Sequence, residues 1–121
     1  MAKARAKSSG GPLVVGLLCG REFSFPPAFI HAVNELGKKS GVTAEMVKFG
    51  GTKMGEPPPY RVIVDRISHE VEFYRASLKH AVLQGTYVIN NPFWWTADDK
   101  FFNYAVAAKL GIARPSLLAT E

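Results

Sequence analysis

A chain of 121 residues, 47% of them apolar, can hold one domain with a modest core, and it is neither long enough for two ordinary domains nor polar enough to stay unfolded. The formal net charge is +5, but three of the cations, Lys3, Arg5 and Lys7, stand in the opening MAKARAKSSGGP, whose small and polar residues have nothing to bury; without those three the charge is +2, and the remaining Lys and Arg are scattered, which argues against a nucleic-acid surface. Cys19 is the single cysteine, so an intrachain disulfide is excluded and a small buried hydrophobe is the expected role.

Residues 1–11 read as a disordered basic tail. The apolar run behind them, PLVVGLLCG, is shorter than a membrane span and lacks a small-residue cleavage pattern, so a cytoplasmic chain with no membrane partner is expected. Within it, Leu13 to Cys19 reads as a buried strand. Pro26 and Pro27 suit the first turn of a helix, whose apolar face is expected from Phe29, Ile30, Val33 and Leu36 and whose end falls between Gly37 and Gly41.

Val42 to Phe49 has strand composition with mixed polarity, which places it near a sheet edge. GGTKMGEPPPY, Gly50 to Tyr60, is loop, because Pro57 to Pro59 exclude a helix. Arg61 to Asp65 is a third strand. Ser68 is the expected cap of a second helix carrying Glu70 and Glu72 in its first turn, with Val71, Tyr74, Leu78 and Val82 on one face and a stop by Gly85. Thr86 to Ile89 is a fourth strand, followed by the turn-prone Asn90, Asn91 and Pro92. Thr96 is the expected cap of a third helix with Asp98 and Asp99 in its first turn, Gly111 at its end and Pro115 beyond. Strand and helical patterns alternate, so the fold class is α/β with about four mainly parallel strands and flanking helices.

In an open parallel sheet, ligands bind beyond the carboxyl ends of the strands, beside helix N-termini whose amides attract anions. That rule selects Arg21 and Glu22 after the first strand, Arg66 and His69 after the third, and Asn90 and Asn91 after the fourth. Arg21 and Arg66 can engage a carboxylate or phosphate; paired instead with Glu22, and with Asp65 or Glu70, they are ordinary surface ions. His69 has an acid–base role open to it, and equally the role of a polar residue at a helix start.

No spacing of His, Cys or carboxylates suits a metal. GGTKMG lacks the Lys-Ser/Thr ending of a phosphate loop, LLCGREF lacks the three glycines of a dinucleotide fingerprint, and neither Ser24 nor Ser68 sits in a hydrolase elbow. The rings of Phe93, Trp94, Trp95, Phe101, Phe102 and Tyr104 have few cations beside them, and Asp98 and Asp99 offset those. Packing in the core or against a neighbouring domain therefore suits them better than base stacking.

The segment VINNPFWWTADDKFFNYAVAAKLGIARP resembles the end of the N-terminal (pre-ATP-grasp) domain of ATP-grasp carboxylate-amine ligases, the superfamily of glutathione synthetase, D-alanine-D-alanine ligase and RimK-like enzymes. The matching parts are Asn90-Asn91 after a strand, Asp99-Lys100 opening a helix, and Leu110-Gly111-Ile112 with Pro115. VDRISHE, Val64 to Glu70, looks similar to a bacterial subgroup. The resemblance implies a Rossmann-like domain over 12–115, with 116–121 starting the segment that leads to an ATP-grasp lobe outside the chain.

It further implies a ligase that converts a carboxylate to an acyl phosphate for attack by an amine, with ATP and Mg2+ held by lobes of the same protein that this chain lacks. By resemblance Lys100 reaches ATP phosphates, while the Gly20 to Glu22 loop, with Arg21 and Glu22, and Arg66 lie where family members contact the carboxylate and amine substrates. His69, Asn90 and Asn91 are added to the substrate side by the strand-end rule. The fragment alone is expected to be inactive. Trp94 and Trp95 depart from the smaller residues usual before the Asp-Lys pair. The competing expectation is a non-catalytic interaction module that docks a protein through Phe93 to Trp95, and a homodimer is compatible with either.

Overall fold

A computed structural model of the chain describes residues 11–51, 53–94 and 100–112. Four strands, β1 (Leu13–Leu18), β2 (Val42–Met46), β3 (Val62–Asp65) and β4 (Tyr87–Ile89), form one sheet in the order β2-β1-β3-β4, and every pairing is parallel. Helix α1 (Phe25–Gly37) joins β1 to β2, α2 (Phe73–Leu83) joins β3 to β4, and α3 (Lys100–Lys109) follows β4. This is the α/β, Rossmann-like architecture expected from the alternation of patterns, and β2 takes the edge position that its mixed polarity requires.

The order reverses at β1: the chain moves one way to β2 and the other way to β3 and β4. Parallel crossovers are right-handed, so reversing their direction puts the intervening helices on opposite faces. Strand parity bears this out. Val14, Leu18, Ile63 and Val88 pack with Leu78, Ala81 and Val82 of α2. Leu17 and Ala44 are buried on the other face, where Asn34 of α1 clasps the backbone of Ala44, accepting from its N–H at 2.7 Å and donating to its carbonyl at 3.3 Å.

No helix separates β2 from β3, and the loop between them covers the α2 face beside β1. Tyr60 is buried, its hydroxyl oxygen accepts from the Lys48 N–H at 3.0 Å, and Thr86 Oγ1 donates to its carbonyl at 2.9 Å. The ring lies so close over β1 that a Cβ on Gly16 would come within 2.9 Å of it and 2.5 Å of Val47 Cγ2. Glycine at this position is what lets the proline-stiffened loop close on the sheet.

Several sequence expectations are corrected. Leu36 is exposed on α1, because the residues that meet the sheet are Phe29, Ile30 and Val33, one turn apart, and Leu36 falls past that arc. Ser68 does not cap α2: the helix begins at Phe73 after Glu72, and the Ser68 hydroxyl donates to Asp65 instead. Val71 consequently lies before the helix and is exposed. The second strand stops at Met46, because Val47 to Phe49 leave the sheet to pack with Tyr60 and Tyr74.

Phe93, Trp94, Phe101, Phe102 and Tyr104 are exposed, so packing in this chain's own core is not their use. Cys19 is half-buried, with its sulfur 4.0 Å from Met46 Sδ. Gly111 ends α3 as expected: it adopts φ 72°, and Gly111 and Ile112 donate to the carbonyls of Ala108 and Ala107, the paired bonds of a glycine-terminated helix. Thr96, Asp98 and Asp99, the expected cap of that helix, lie outside the described residues, as do Trp95 and the tail at 1–10.

Gly16→Ala is expected to cost about 1–3 kcal/mol through overpacking against Tyr60, and Leu78→Ala about 2–5 kcal/mol through the cavity left under α2. Urea unfolding of each variant measures both, and a Gly16→Ala protein as stable as the parent would contradict the close approach.

Candidate functional site

The carboxyl ends of β1, β3 and β4 form one rim. Leu18 pairs with Asp65 at the last rung between β1 and β3, and the Arg66 N–H donates to the Leu18 carbonyl at 2.8 Å. The segments Cys19 to Ser24 and Arg66 to Glu72 therefore leave the sheet side by side. The Gly20 backbone passes near Ile67, whose Cδ1 would lie 3.1 Å from a Cβ at that position.

The turn after β3 is built around Asp65, which is buried to 1%. One carboxylate oxygen accepts from the backbone N–H groups of Ile67 and Ser68 at 3.1 and 3.0 Å, and the other accepts from the Ser68 hydroxyl. Burying a carboxylate is tolerable only when its oxygens are satisfied in this way. Arg75 of α2 closes the turn from outside, donating through Nε to the Ser68 carbonyl at 2.7 Å and through Nη2 to the His69 carbonyl at 3.3 Å. A turn held from both sides presents Arg66 and His69 outward in a set direction.

Arg66 reaches across to the first loop. Its Nε donates to both oxygens of Glu22 at 3.0 and 3.1 Å, and its Nη2 donates to Oε1 at 2.6 Å. The guanidinium carbon sits 4.1 Å over the ring of Phe25, which stacks in turn on Phe29 with centroids 5.5 Å apart. Carboxylate at one edge and aromatic ring at one face together orient the cation. Of its five N–H donors, the fork on Nη1 and one hydrogen of Nη2 have no hydrogen-bond acceptor among the described residues.

Arg66's hydrogen bonds hold the Glu22 carboxyl below the usual glutamate range, against a smaller opposing effect of desolvation, and the charges of Arg66 and His69 act in the same direction. The same bonds raise Arg66 further above its ordinary value. Partial burial pushes the Cys19 thiol up, Glu22 adds to that, and Arg66 opposes it, so Cys19 is a thiol rather than a thiolate at neutral pH. Because Arg66 is 41% and Glu22 29% exposed, their pairing orients the site more than it stabilises the fold.

The remaining selected residues fall as follows. Asn90, at φ 65°, donates from Nδ2 to the Asp65 carbonyl at 2.7 Å and so ties the end of β4 to the turn. Asn91 is spent locally, its side-chain oxygen accepting from the Phe93 N–H at 2.9 Å. His69 is partly exposed, 3.3 Å from Glu70. Arg21 is exposed and makes no ion pair among the described residues. Lys100 opens α3, while its side chain lies outside the described residues.

The local pairs expected for the two arginines are thus replaced by one pair between loops, Arg66 with Glu22. Phe25 escaped the sequence reading, since nothing in a helix-start phenylalanine announces an arginine 41 positions later, from 25 to 66. The expectation that helix N-termini bring free amides to the rim also needs correction. Pro26 and Pro27 remove two N–H groups from the first turn of α1, and Glu70 and Glu72 flank the start of α2. Neither terminus is a phosphate cradle of the usual kind.

Among the described residues no group of three or more His, Cys, Asp or Glu is placed to hold a metal, and no helix is long and apolar enough to cross a membrane. No protein-family model, curated protein or solved structure matches the chain.

A folded-state pKa below the unfolded one means that the Glu22 contribution is present above about pH 4.3, the ordinary glutamate value, and is lost as pH falls through the lowered Glu22 midpoint. Carboxyl-carbon NMR titration should give that low midpoint in the parent and an ordinary one in Arg66→Gln. Equal midpoints would show that the pair does not form in solution. Glu22→Gln should also speed alkylation of Cys19 at pH 8, by removing a charge that raises the thiol and freeing one that lowers it.

Proposed function

We propose that this chain is the N-terminal, substrate-side domain of an ATP-dependent carboxylate-amine ligase. The observation that carries the reading is the convergence of Glu22, Arg66 and Asn90 on the carboxyl edge of a parallel sheet, directly before the segment that resembles the ATP-grasp family. A carboxylate substrate would meet the free Nη1 fork of Arg66, and an amine would meet Glu22. These complementary charges are preset by the Phe25 ring and the Asp65 turn.

ATP and Mg2+ would be held by further lobes of the same protein, and among residues of this chain only Lys100 is assigned to the phosphates. The two prolines in α1 fit that division of labour, because they make the first loop a poor nucleotide site and leave it to the substrate. The chain alone is inactive in this reading and binds ATP weakly at most.

A second reading is favoured by the exposure of Phe93 and Trp94, 53% and 69%. Rings of that size left in solvent directly after a strand suit a protein-docking surface that needs no catalysis.

Backbone NMR of the chain with millimolar amino acids and short peptides tests the site. Shifts confined to residues 20–22, 66–69 and 90, and lost in Arg66→Gln, are expected; no response from these residues would remove the substrate assignment. In a protein that joins this chain to ATP-grasp lobes, Lys100→Ala should lower kcat/KM for ATP by about a hundredfold, as loss of one phosphate donor does. Unchanged kinetics would take Lys100 out of the nucleotide site.

A further inference from the structure

One face of β4, and in part of β3, is incompletely covered: Val62 and Val64 are half-buried, and Tyr87 and Ile89 are exposed. Val62 pairs with Tyr87 and Val64 with Ile89, so these four share the α1 side of the sheet. Helix α1 packs on that side against β2, and Leu17 and Ala44 are buried there. Tyr87 and Ile89 are left 69% and 45% exposed, although Val88 between them is buried. A parallel sheet ordinarily has both faces covered.

Helix α3 has the complementary lack. From Phe101 to Lys109 every side chain but Ala107 is exposed, and Lys109 is the only charged residue between Phe101 and Ile112. At 3.6 residues per turn, Phe101, Tyr104, Ala105 and Ala108 form one face, and Val106 lies on the other with Asn103 and, at the helix end, Leu110. A helix with exposed apolar residues on opposite sides, Val106 and Leu110 as well as the aromatic face, has more than one side to cover.

We propose that a second copy of this chain covers both: α3 of each copy packs on the β3–β4 face of the other, and the two α3 helices meet along the twofold axis through Val106 and Leu110. Folding back onto its own sheet would cover one face of α3 and leave the other in water. Reciprocal exchange covers both, and closes without free ends because the contact is isologous. The near absence of charge along α3 means that symmetry brings no row of like charges together.

With aromatic side chains burying 150–250 Å² when fully covered, the partly exposed residues of the helix and sheet amount to roughly 600 Å² per chain, or about 1,200 Å² in all, the lower end for a specific stable interface. Such a dimer dissociates on dilution.

Light scattering on the full chain decides the matter. At about 100 µM, a concentration suited to an interface at that lower end, the mass should be twice 13.2 kDa, falling to the monomer on dilution. Ile89→Asp and Tyr104→Glu should each give monomers with unchanged circular dichroism, while Leu36→Asp, on the exposed side of α1, should stay dimeric. Tyr104→Glu keeps the test valid should the strand variant unfold, since no described residue of α3 belongs to the core cluster. In a mixture of isotope-labelled and unlabelled chain, the Ile89 methyls should show nuclear Overhauser contacts to Tyr104 of the other copy. A monomeric parent, a dimer that survives both substitutions, or contacts from Ile89 to Tyr104 only within one chain would each overturn the proposal.

Discussion

The candidate site depends on β1 being hydrogen-bonded along both edges, to β2 on one side and to β3 on the other. Parallel strands cannot be joined by a tight turn, so each connection must cross back over the sheet. At β1 those crossings diverge to opposite faces, which opens a crevice at the carboxyl ends of β1 and β3. The loops from Cys19 to Ser24 and from Arg66 to Glu72 line that crevice because no other exit from those strands exists. Residues 44 positions apart in sequence, Glu22 and Arg66, are thereby brought to hydrogen-bonding distance.

The chemistry of the crevice follows from what the two loops carry. Doubly wound sheets commonly use the first helix N-terminus to hold phosphate, yet Pro26 and Pro27 take N–H groups from that terminus and Glu22 puts a negative charge in front of it. What remains is a guanidinium gripped at one edge by a carboxylate and on one face by Phe25. The grip lowers the entropy lost when a ligand orders the side chain, and it leaves both signs of charge at the surface. The proposed carboxylate and amine substrates accord with both signs of charge at this rim. The buried Asp65 serves the scaffold instead, since its bonds are all internal and keep the turn below Arg66 from shifting.

The chain also divides into a part that is packed and a part that is not. The cluster around Ile63, Leu78 and Val88 closes the α2 face over β1, β3 and β4, helped by Tyr60 at the end of the proline loop. On the other face Leu17 and Ala44 are buried, whereas Tyr87 and Ile89 of β4 are exposed. Helix α3 and the rings before it stand in solvent, which is consistent with a surface that is completed by another lobe or another chain. The rim chemistry and the apolar surface lie at different places on the sheet, so one can be altered without the other.

Much of the architecture was legible in the sequence. Apolar runs bounded by Gly and Pro located all four strands, the edge position of β2 was readable from its mixed polarity, and Gly111 marked the end of α3, because these features depend on neighbours in the chain and on periodicity. The rule that ligands gather at strand ends was enough to select Glu22, Arg66 and Asn90. The sequence could not say which partner each would take. Ser68 had the composition of a helix cap and instead satisfies a buried aspartate; Leu36 matched a helical period and faces water; the arginines had acids beside them, and Arg66 bonds to a distant one. Local rules score a residue against its neighbours, whereas hydrogen-bond partners and burial are set by which strands lie side by side. Strand order comes from the competition of whole faces for cover, and that competition is settled only when the chain has folded.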